Sequence, residues 1–307
     1  MIAVVAGGVG AARYLAGLVR AVEPADVTAV VNTGDDTVLH GLAISPDLDT
    51  VTYTLAGAID TDTGWGLSGE TWGAMEALRR YNPDLAWFSL GDRDLGTHLY
   101  RTGRRAEGAP LSAITAEITA AWGLGLRLLP MTDDPVATKL LVVGEGELDF
   151  QDYFVRRRHG VPVTGVRFDG IESASPGPGV VEALATADRV VVAPSNPIVS
   201  IGPVLAVPGV LEVLEARRDC VVAVSPIVAG AALKGPADRM LTELGHEASV
   251  VGVARLYAGL ASVLVVDEAD ADRADDIEAT GMRCVVAPTI MHTAVEAEAL
   301  AEVTLSC

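Results

Sequence analysis

Continuous apolar runs recur along the chain, separated by segments long enough to form helices. Six runs are rich in β-branched residues and lack polar alternation: 2–6, 28–32, 189–194, 220–226, 262–267 and 283–287. Strands that helices cover on both faces have this pattern. Helical periodicity lies between the runs, for example over 11–22, 203–217 and 292–303. The alternation predicts a single α/β domain over residues 1–307, built on a doubly wound, mostly parallel sheet.

Two stretches depart from this alternation. Residues 46–123 contain almost no strand pattern, which predicts a helical insertion after the second strand. Its helical patterns lie around 49–59, 70–81, 93–104 and 112–122. Residues 138–168 have the pattern of a β-hairpin or meander that turns at Gly144–Gly146, which predicts a small β element.

The composition excludes several classes of partner. The chain of 307 residues has 41 acidic and 22 basic residues, so its formal net charge is −19. Duplex nucleic acid and anionic membranes attract basic proteins, so neither is expected as a partner. No apolar run approaches the roughly 18 residues that span a bilayer. The first residues lead directly into a glycine turn, without the features of a signal peptide, and we expect a cytoplasmic protein.

A glycine-rich turn, Gly7-Gly8-Val9-Gly10, follows the first predicted strand and opens the helix over 11–22. Glycines let a ligand approach the backbone, and the free N–H groups of a helix N-terminus attract an anion such as phosphate. A tight turn without a ligand is the alternative. The spacing is not that of the G-x-G-x-x-G motif, which disfavours a nicotinamide-dependent oxidoreductase.

Acidic residues cluster at further turns of the chain. They lie in NTGDD (32–36), ISPDLDT (44–50) and GDRD (91–94). Carboxylates at such turns either cap a helix or bind a hard cation such as Mg²⁺. Loss of an exposed cap costs only about 1 kcal/mol, so replacing Asp49 is expected to affect turnover more than stability. Arg93, between Asp92 and Asp94, either closes an ion-pair cluster or clamps a phosphate or carboxylate.

The loop over 193–203 combines three prolines with Ser195, Asn196 and Ser200 at the end of a buried strand. Its rigidity, hydroxyls and amide suit recognition of a phosphate or a base. No cysteine pair has CxxC spacing and no histidine pair has zinc-ligand spacing, so neither a disulfide framework nor a zinc site is expected. Neither Lys139 nor Lys234 follows a glycine-rich loop in the GK[ST] form. Anion-binding loops with acidic turns suit metal-assisted phosphoryl or nucleotidyl transfer.

Together these segments resemble the 2-phospho-L-lactate transferase family of coenzyme F-420 biosynthesis. The resemblance rests on GGVGAARYLAGL, VNTGDD, HGLAISPDLDTVTYTLAG, GWGLSGETW, LGDRDLGTHL, LLPMTDDPVAT, APSNPIVSIGP and SPIVAG, in order, from the first residue to about residue 260. It implies a Rossmann-like core with a helical insertion, Mg²⁺ dependence and a homodimer. The implied reaction joins the ribityl hydroxyl of the deazaflavin Fo (7,8-didemethyl-8-hydroxy-5-deazariboflavin) to the phosphate of a guanosine-diphosphate-linked lactyl or enolpyruvyl donor, and GMP leaves.

The chain is rich in Arg and poor in Lys, and in this composition and in its GWG, GDRDLGTH and APSNP motifs it resembles the actinobacterial branch of that family. This implies an enolpyruvyl donor derived from phosphoenolpyruvate and dehydro coenzyme F-420-0 as the product. The sequence leaves the lactyl donor open as the alternative. GETW stands where many members have GDTW, so no role is assigned to Glu70.

The resemblance also implies roles for single residues. The expected substrate-binding residues are Gly7, Gly8, Gly10, Asn32, Asp49, Arg93, Ser195, Asn196 and Ser200, with the glycines, Ser195 and Asn196 around the guanosine diphosphate. Asp36 and Asp49 are expected to bind Mg²⁺. Asp49, as a positioning group or base, and Arg93, at Fo or at the phosphate, are the expected catalytic residues. The alternative is a non-catalytic nucleotide-sugar-binding regulatory protein of the same superfamily, against which ISPDLDT and GDRDL argue.

Overall fold

Seven parallel strands form the central sheet of the computed structural model, which describes residues 1–307. The strands of the protein are β1 (Ile2–Ala6), β2 (Val27–Val31), β3 (Thr37–Leu39), β4 (Leu42–Ile44), β5 (Arg127–Pro130), β6 (Ala137–Val142), β7 (Gly146–Asp149), β8 (Val163–Asp169), β9 (Arg189–Val192), β10 (Val221–Val224), β11 (Ile227–Val228), β12 (Ala231–Ala232), β13 (Val263–Val266) and β14 (Arg283–Val286). The order in the central sheet is β14-β13-β10-β9-β1-β2-β5, with every neighbouring pair parallel. The predicted doubly wound α/β fold is confirmed.

Helices connect these strands and cover the sheet. They are α1 (Gly8–Ala21), α2 (Pro46–Leu55), α3 (Gly73–Tyr81), α4 (Asp94–Ala106), α5 (Leu111–Ala121), α6 (Val180–Thr186), α7 (Gly202–Ala206), α8 (Val210–Ala216), α9 (Ala237–Glu243), α10 (Val250–Tyr257), α11 (Ala274–Glu278) and α12 (Ala294–Ser306). The single helix predicted over 203–217 is wrong, because the chain forms α7 and α8 instead. Between them, Pro208 has no N–H to donate and Gly209 adopts a φ of 88°.

The strands of the sheet are apolar on both faces because each face is covered. Successive strand residues point to opposite sides, so Val5 belongs to one hydrophobic core and Val4 to the other. Both residues are fully buried. The two cores therefore hold the sheet rigidly, and the loops at the carboxyl ends of its strands are fixed in position.

The strand order reverses direction beside β1. The chain continues from β1 to β2 on one side, whereas β9 pairs with β1 on the other side. In an open parallel sheet the crevice at such a switch point, beyond the carboxyl ends of the strands, is where ligands bind. The loops after β1 and β9 meet at this crevice.

Two additional groups of elements lie outside the central sheet. Between β2 and β5 the chain forms the β3–β4 ribbon and the helices α2 to α5. A separate antiparallel sheet has the order β7-β6-β8. None of the helices alone is long and apolar enough to span a bilayer; only the pair Pro197–Ala206 and Val210–Ala216, bent by 93°, reaches that length and composition together.

Candidate functional site

The glycine turn after β1 packs directly against the loop after β9. A Cβ atom at Gly10 would lie 2.0 Å from the carbonyl oxygen of Pro194, and one at Gly7 would lie 2.9 Å from the Cβ of Ser200. The hydroxyl of Ser195 donates a hydrogen bond to the carbonyl oxygen of Gly7 (2.6 Å). Glycine is required here by close approach, and the structure brings the predicted residues of both loops to the N-terminus of α1.

The amide of Asn196 shapes the loop after β9. Its Oδ1 accepts hydrogen bonds from the N–H groups of Ile198 (2.9 Å) and Val199 (3.3 Å), and so caps the helical turn Pro197–Ile201. Its Nδ2 lies 3.6 Å from the Sδ of Met240. The amide oxygen of the side chain predicted to bind nucleotide is therefore engaged in holding the loop, whereas Ser195 and Ser200 contact the glycine turn.

A carboxylate lies at the N-terminus of α1. Asp47, from the start of α2, accepts a hydrogen bond from Nδ2 of Asn32 (2.9 Å) and another from the N–H of Gly8. Burial raises the pKa of Asp47 to about 6, and these two hydrogen bonds oppose the rise. A phosphate at this helix end would meet the Asp47 carboxylate, so a cation between the two anions is needed to offset their repulsion.

Asp36 has one carboxylate oxygen without a partner. Its Oδ2 accepts a hydrogen bond from the hydroxyl of Ser45 (2.6 Å), whereas its Oδ1 is buried and has none. Burial raises the pKa of Asp36 to about 7, against the lowering effects of Ser45 and Arg101. The pKa of the neighbouring Asp35 is raised well above its usual value by burial and by the Asp47 and Asp36 charges. A buried, unpartnered carboxylate oxygen among acidic neighbours suits a bound cation.

Asp49 is a buried member of an ion pair. It is 6% exposed, and both of its carboxylate oxygens contact the guanidinium of Arg101, with NH1 at 3.1 Å from Oδ2. The expectation that losing Asp49 would cost only as much stability as losing an exposed cap is therefore wrong. Its position in the first turn of α2 is as predicted, but α4 packs over it and brings Arg101 from 52 residues away.

A histidine and a second aspartate adjoin this pair. Nδ1 of His98 lies 3.7 Å from Oδ2 of Asp49, and Nε2 lies 3.1 Å from Oδ2 of Asp94. Tyr53 donates its hydroxyl proton to Oδ1 of Asp94 (2.6 Å). Ligand atoms of Asp49, Asp94 and His98 lie within 4.8 Å of one another, so this group could hold a metal ion. A spacing of four places Asp94 and His98 on one helix face, a signal that a search for pairs of histidines does not detect.

The acidic residues of GDRD point in different directions. Asp92 accepts hydrogen bonds from the N–H groups of Gly73 (2.9 Å) and Ala74 (3.0 Å), at the start of α3. Arg93 is exposed, and its guanidinium donates to the carbonyl oxygen of Ser68 (2.5 Å). Arg93 forms no ion pair with Asp92 or Asp94. The ion-pair cluster considered from the sequence is absent, and most of the guanidinium is accessible to a ligand.

Glu70 has a structural role that the sequence did not indicate. Its carboxylate accepts hydrogen bonds from the N–H groups of Arg93 and Asp94, each at 2.8 Å, and so caps α4. Gly91 is required beside it, since a Cβ there would lie 2.1 Å from the Cδ of Glu70. This contact fixes the segment that carries Arg93 and Asp94.

A small pocket of about 20 Å³, room for about one water molecule, opens next to these residues. Its lining includes Asp60, Trp65, Leu67, Glu70, Trp72 and Asp94. The side chains of Trp65 and Trp72 are 47% and 38% exposed. Partly exposed indole rings suit a flat aromatic ligand, and Asp94 connects the pocket to the buried Asp49.

Lys234 contacts the segment around Thr63 and Gly64 from a distant part of the chain. Its Nζ lies 3.4 Å from the carbonyl oxygen of Thr63, beside Gly64, which packs on Val9. Burial and the charge of Arg13 lower the pKa of Lys234. The motif of a lysine directly after a glycine turn does not detect this residue, because Lys234 lies far away along the chain. The other lysine, Lys139, pairs with Asp149 on the separate antiparallel sheet.

A cation held by Asp36 would bind in a pH-dependent way, because burial raises the pKa of this carboxyl group to about 7. Below pH 7 the carboxyl group is protonated, and a cation must displace the proton. We expect the affinity for Mn²⁺ to rise between pH 6 and 7, by up to about tenfold per unit, and to level off above pH 7. Electron paramagnetic resonance of free Mn²⁺ measures this, with Asp36→Asn as the control. Equal affinity at pH 6 and 8 would contradict it.

Comparisons with known proteins agree over nearly the whole chain. The model of the family "2-phospho-L-lactate transferase CofD" matches residues 2–292. The phosphoenolpyruvate transferase of Streptomyces griseus is 46% identical over 302 residues, which cover 97% of this chain and 95% of that protein. The phosphoenolpyruvate transferase of Mycolicibacterium smegmatis is 41% identical over 304 residues, covering 94% and 93%. A crystal structure of a UPF0052 family protein from Bacillus halodurans has a TM-score of 0.63 at 18% identity, covering 99% and 98%, and shares the fold.

Proposed function

The chain belongs to the 2-phospho-L-lactate transferase CofD family, and we propose that it transfers an enolpyruvyl-phospho group from a guanosine-diphosphate-linked donor to Fo. The products are GMP and dehydro coenzyme F-420-0. The observation that carries the proposal is its similarity to phosphoenolpyruvate transferases over almost the full length of both chains. These names favour the enolpyruvyl donor over the lactyl donor. We also propose that the enzyme acts as a homodimer.

The donor diphosphate would bind at the N-terminus of α1. Gly8 leaves the backbone open there, since a Cβ at this position would have its nearest neighbours 3.9 Å away, whereas Gly7 and Gly10 let Ser200 and Pro194 pack against the turn. The helix dipole and the N–H groups of the first turn of α1 favour an anion at this position. Arg13 and Lys234 lie near the same end of α1 and add positive charge for a second phosphate.

Mg²⁺ would bind between the donor and the acidic residues Asp36 and Asp49. The unpartnered Oδ1 of Asp36 fits this ion, since Mg²⁺ in proteins is held by one or two carboxylates together with substrate phosphates. When bound, the ion neutralises charge that develops on the transferred phosphate. Asp49 belongs to both this arrangement and the Asp49–Asp94–His98 group, so we propose that it is the shared ligand.

The acceptor would lie against the exposed parts of Trp65 and Trp72, over the small pocket that they border. The ring system of Fo is flat and aromatic, and its ribityl chain would extend toward Asp49. There Asp49 would orient the hydroxyl whose oxygen forms the new bond to phosphorus, while the bond from that phosphorus to GMP breaks. Arg93, with an accessible guanidinium at the edge of this pocket, would contact Fo or the phosphate.

The proposal is tested by incubating the protein with Fo, Mg²⁺ and each guanylylated donor, followed by mass spectrometry of the products. We expect dehydro coenzyme F-420-0 from the enolpyruvyl donor and a much slower reaction with the lactyl donor. A faster reaction with the lactyl donor would reverse the assignment of the donor. Tight binding of a nucleotide sugar without any product from either donor would favour the regulatory alternative.

Substituting Arg93→Lys should reduce kcat/KM about ten- to hundredfold. Lysine keeps the charge but lacks the planar fork that binds a carboxylate or phosphate through two hydrogen bonds. One lost charge-assisted contact of about 1.5–3 kcal/mol has this effect. The melting temperature should stay almost unchanged, because Arg93 is exposed and forms no ion pair. Arg80→Lys, on the exposed face of α3, is the matched control. Unchanged kinetics in Arg93→Lys would remove this residue from the site.

A further inference from the structure

One permanent cation lies inside the acidic part of the site. Arg101 of α4 is 2% exposed and is among the largest fully buried side chains of the protein. Its guanidinium contacts both carboxylate oxygens of Asp49. NH1 also lies 3.3 Å from Nδ1 of His98 and 3.4 Å from the carbonyl oxygen of Ala43. Its Nε has no partner.

Stability alone does not explain an arginine at this position. Taking two charges out of water opposes folding, and a buried ion pair contributes little more than apolar side chains of similar volume. The unpartnered Nε adds a further cost. The charge of Arg101 must therefore have an effect on the surrounding carboxylates that an apolar side chain would lack.

Arg101 changes the charge that a divalent cation would meet. Asp35, Asp36, Asp47 and Asp49 lie close enough for their charges to influence one another. Arg101 is the cation that acts on Asp49 and Asp36 from within the protein. With both oxygens of Asp49 engaged, a cation at that carboxylate must share it with the guanidinium.

We propose that Arg101 is a positioning residue that weakens the binding of a divalent cation to the free protein, so that the cation binds together with the diphosphate of the donor. The guanidinium keeps Asp49 aligned and partly neutralised until phosphate oxygens supply the remaining negative charge. The inference rests on the proposed transferase function for the identity of the diphosphate. The effect of Arg101 on cation affinity is a property of the free protein and is tested separately.

The test is a titration of metal-free protein with Mn²⁺, followed by electron paramagnetic resonance, with and without GDP. The neutral variant Arg101→Gln should bind Mn²⁺ at least about tenfold more tightly than the unaltered protein in the absence of GDP. Even in the dielectric of water, a unit charge a few ångströms from a divalent cation has about this effect. Arg101→Lys retains the charge and should keep the weak binding.

The control is Arg104→Gln on the same helix. Arg104 is one turn away and pairs with Glu107 and Glu117 at the surface, so its loss should leave the Mn²⁺ affinity unchanged. GDP should tighten Mn²⁺ binding to the unaltered protein at least tenfold, and much less in Arg101→Gln. A folded Arg101→Gln variant with unchanged Mn²⁺ affinity in the absence of GDP would overturn the inference.

Further measurements distinguish an unstable variant and a failure of the proposed transferase function from a failure of the proposed role of Arg101. If Arg101→Gln is unstable, its melting temperature is measured at increasing Mn²⁺ concentration. A larger Mn²⁺-dependent rise of the melting temperature than in the unaltered protein supports the inference, and an equal rise contradicts it. If GDP fails to bind, the proposed transferase function fails, while the Mn²⁺ affinities without GDP still decide the role of Arg101. Equal Mn²⁺ affinity with and without bound GDP would contradict the coupling between cation and donor.

Discussion

Substituting Asp49→Asn is expected to reduce transferase turnover on the order of a thousandfold and to lower the free energy of unfolding by about 3–5 kcal/mol. The loss of turnover follows because one carboxylate is proposed to bind the cation and to orient the acceptor hydroxyl. The loss of stability follows because Arg101 would be left buried without a counter-charge. Steady-state kinetics and chemical denaturation of the same samples measure the two effects.

A double substitution separates catalysis from stability. Asp49→Asn combined with Arg101→Met removes both charges, so it should recover part of the lost stability but none of the activity. Asp275→Asn is the matched control, because Asp275 also lies in the first turn of a helix but is exposed. Its effect should stay within about 0.5 kcal/mol. An Asp49→Asn enzyme that retains more than a tenth of the turnover would show that this carboxylate is not part of the catalytic machinery.

Removal of divalent cations is expected to abolish the transfer, with a residual rate below about one thousandth of the original. The proposed phosphate site at α1 adjoins the Asp47 carboxylate, and Asp36 has a buried oxygen without a partner. Without a cation, these charges would repel the donor diphosphate. Arg101 cannot replace the ion, because Asp49 engages its guanidinium.

The measurement is the transfer rate in excess chelator, followed by addition of excess Mg²⁺. Full recovery of the rate after the addition shows that the chelator did not unfold the protein, and the far-ultraviolet circular dichroism should stay constant throughout. Undiminished transfer in excess chelator would contradict the proposed role of the metal. It would also require Lys234 and Arg13 to neutralise the phosphate charge, which Lys234→Met would then reveal.

Local patterns predicted most of the central sheet because its strands are short, apolar and buried on both faces. The runs 2–6 and 28–32 correspond to Ile2–Ala6 and Val27–Val31 within one residue. The helix predicted over 203–217 was wrong because its periodicity continues across Pro208 and Gly209, where the backbone leaves the helical conformation. The spacing of the apolar residues alone does not reveal that the helix is interrupted there.

Contacts between distant segments explain which features of the candidate site could not be predicted from the sequence. The loss of Asp49 was expected to cost little stability, because its own segment places it in the first turn of a helix, where an exposed carboxylate acts only as a cap. Its burial depends on α4, whose Arg101 comes from 52 residues away. Lys234 approaches Gly64 from 170 residues away along the chain, and no local motif could indicate this.

The parallel α/β architecture, the glycine turn at the first strand and the acidic turns can be predicted from the amino-acid sequence, since each depends on neighbouring residues and their spacing. Which of these groups share a site, and how each carboxylate is engaged, depends on contacts that form only in the folded chain. Asp92 caps α3, Asp47 lies at α1, and Asp49 pairs with Arg101. The physical reason is that burial and charge at a carboxylate are set by the elements packed over it, and that packing joins residues far apart in the chain.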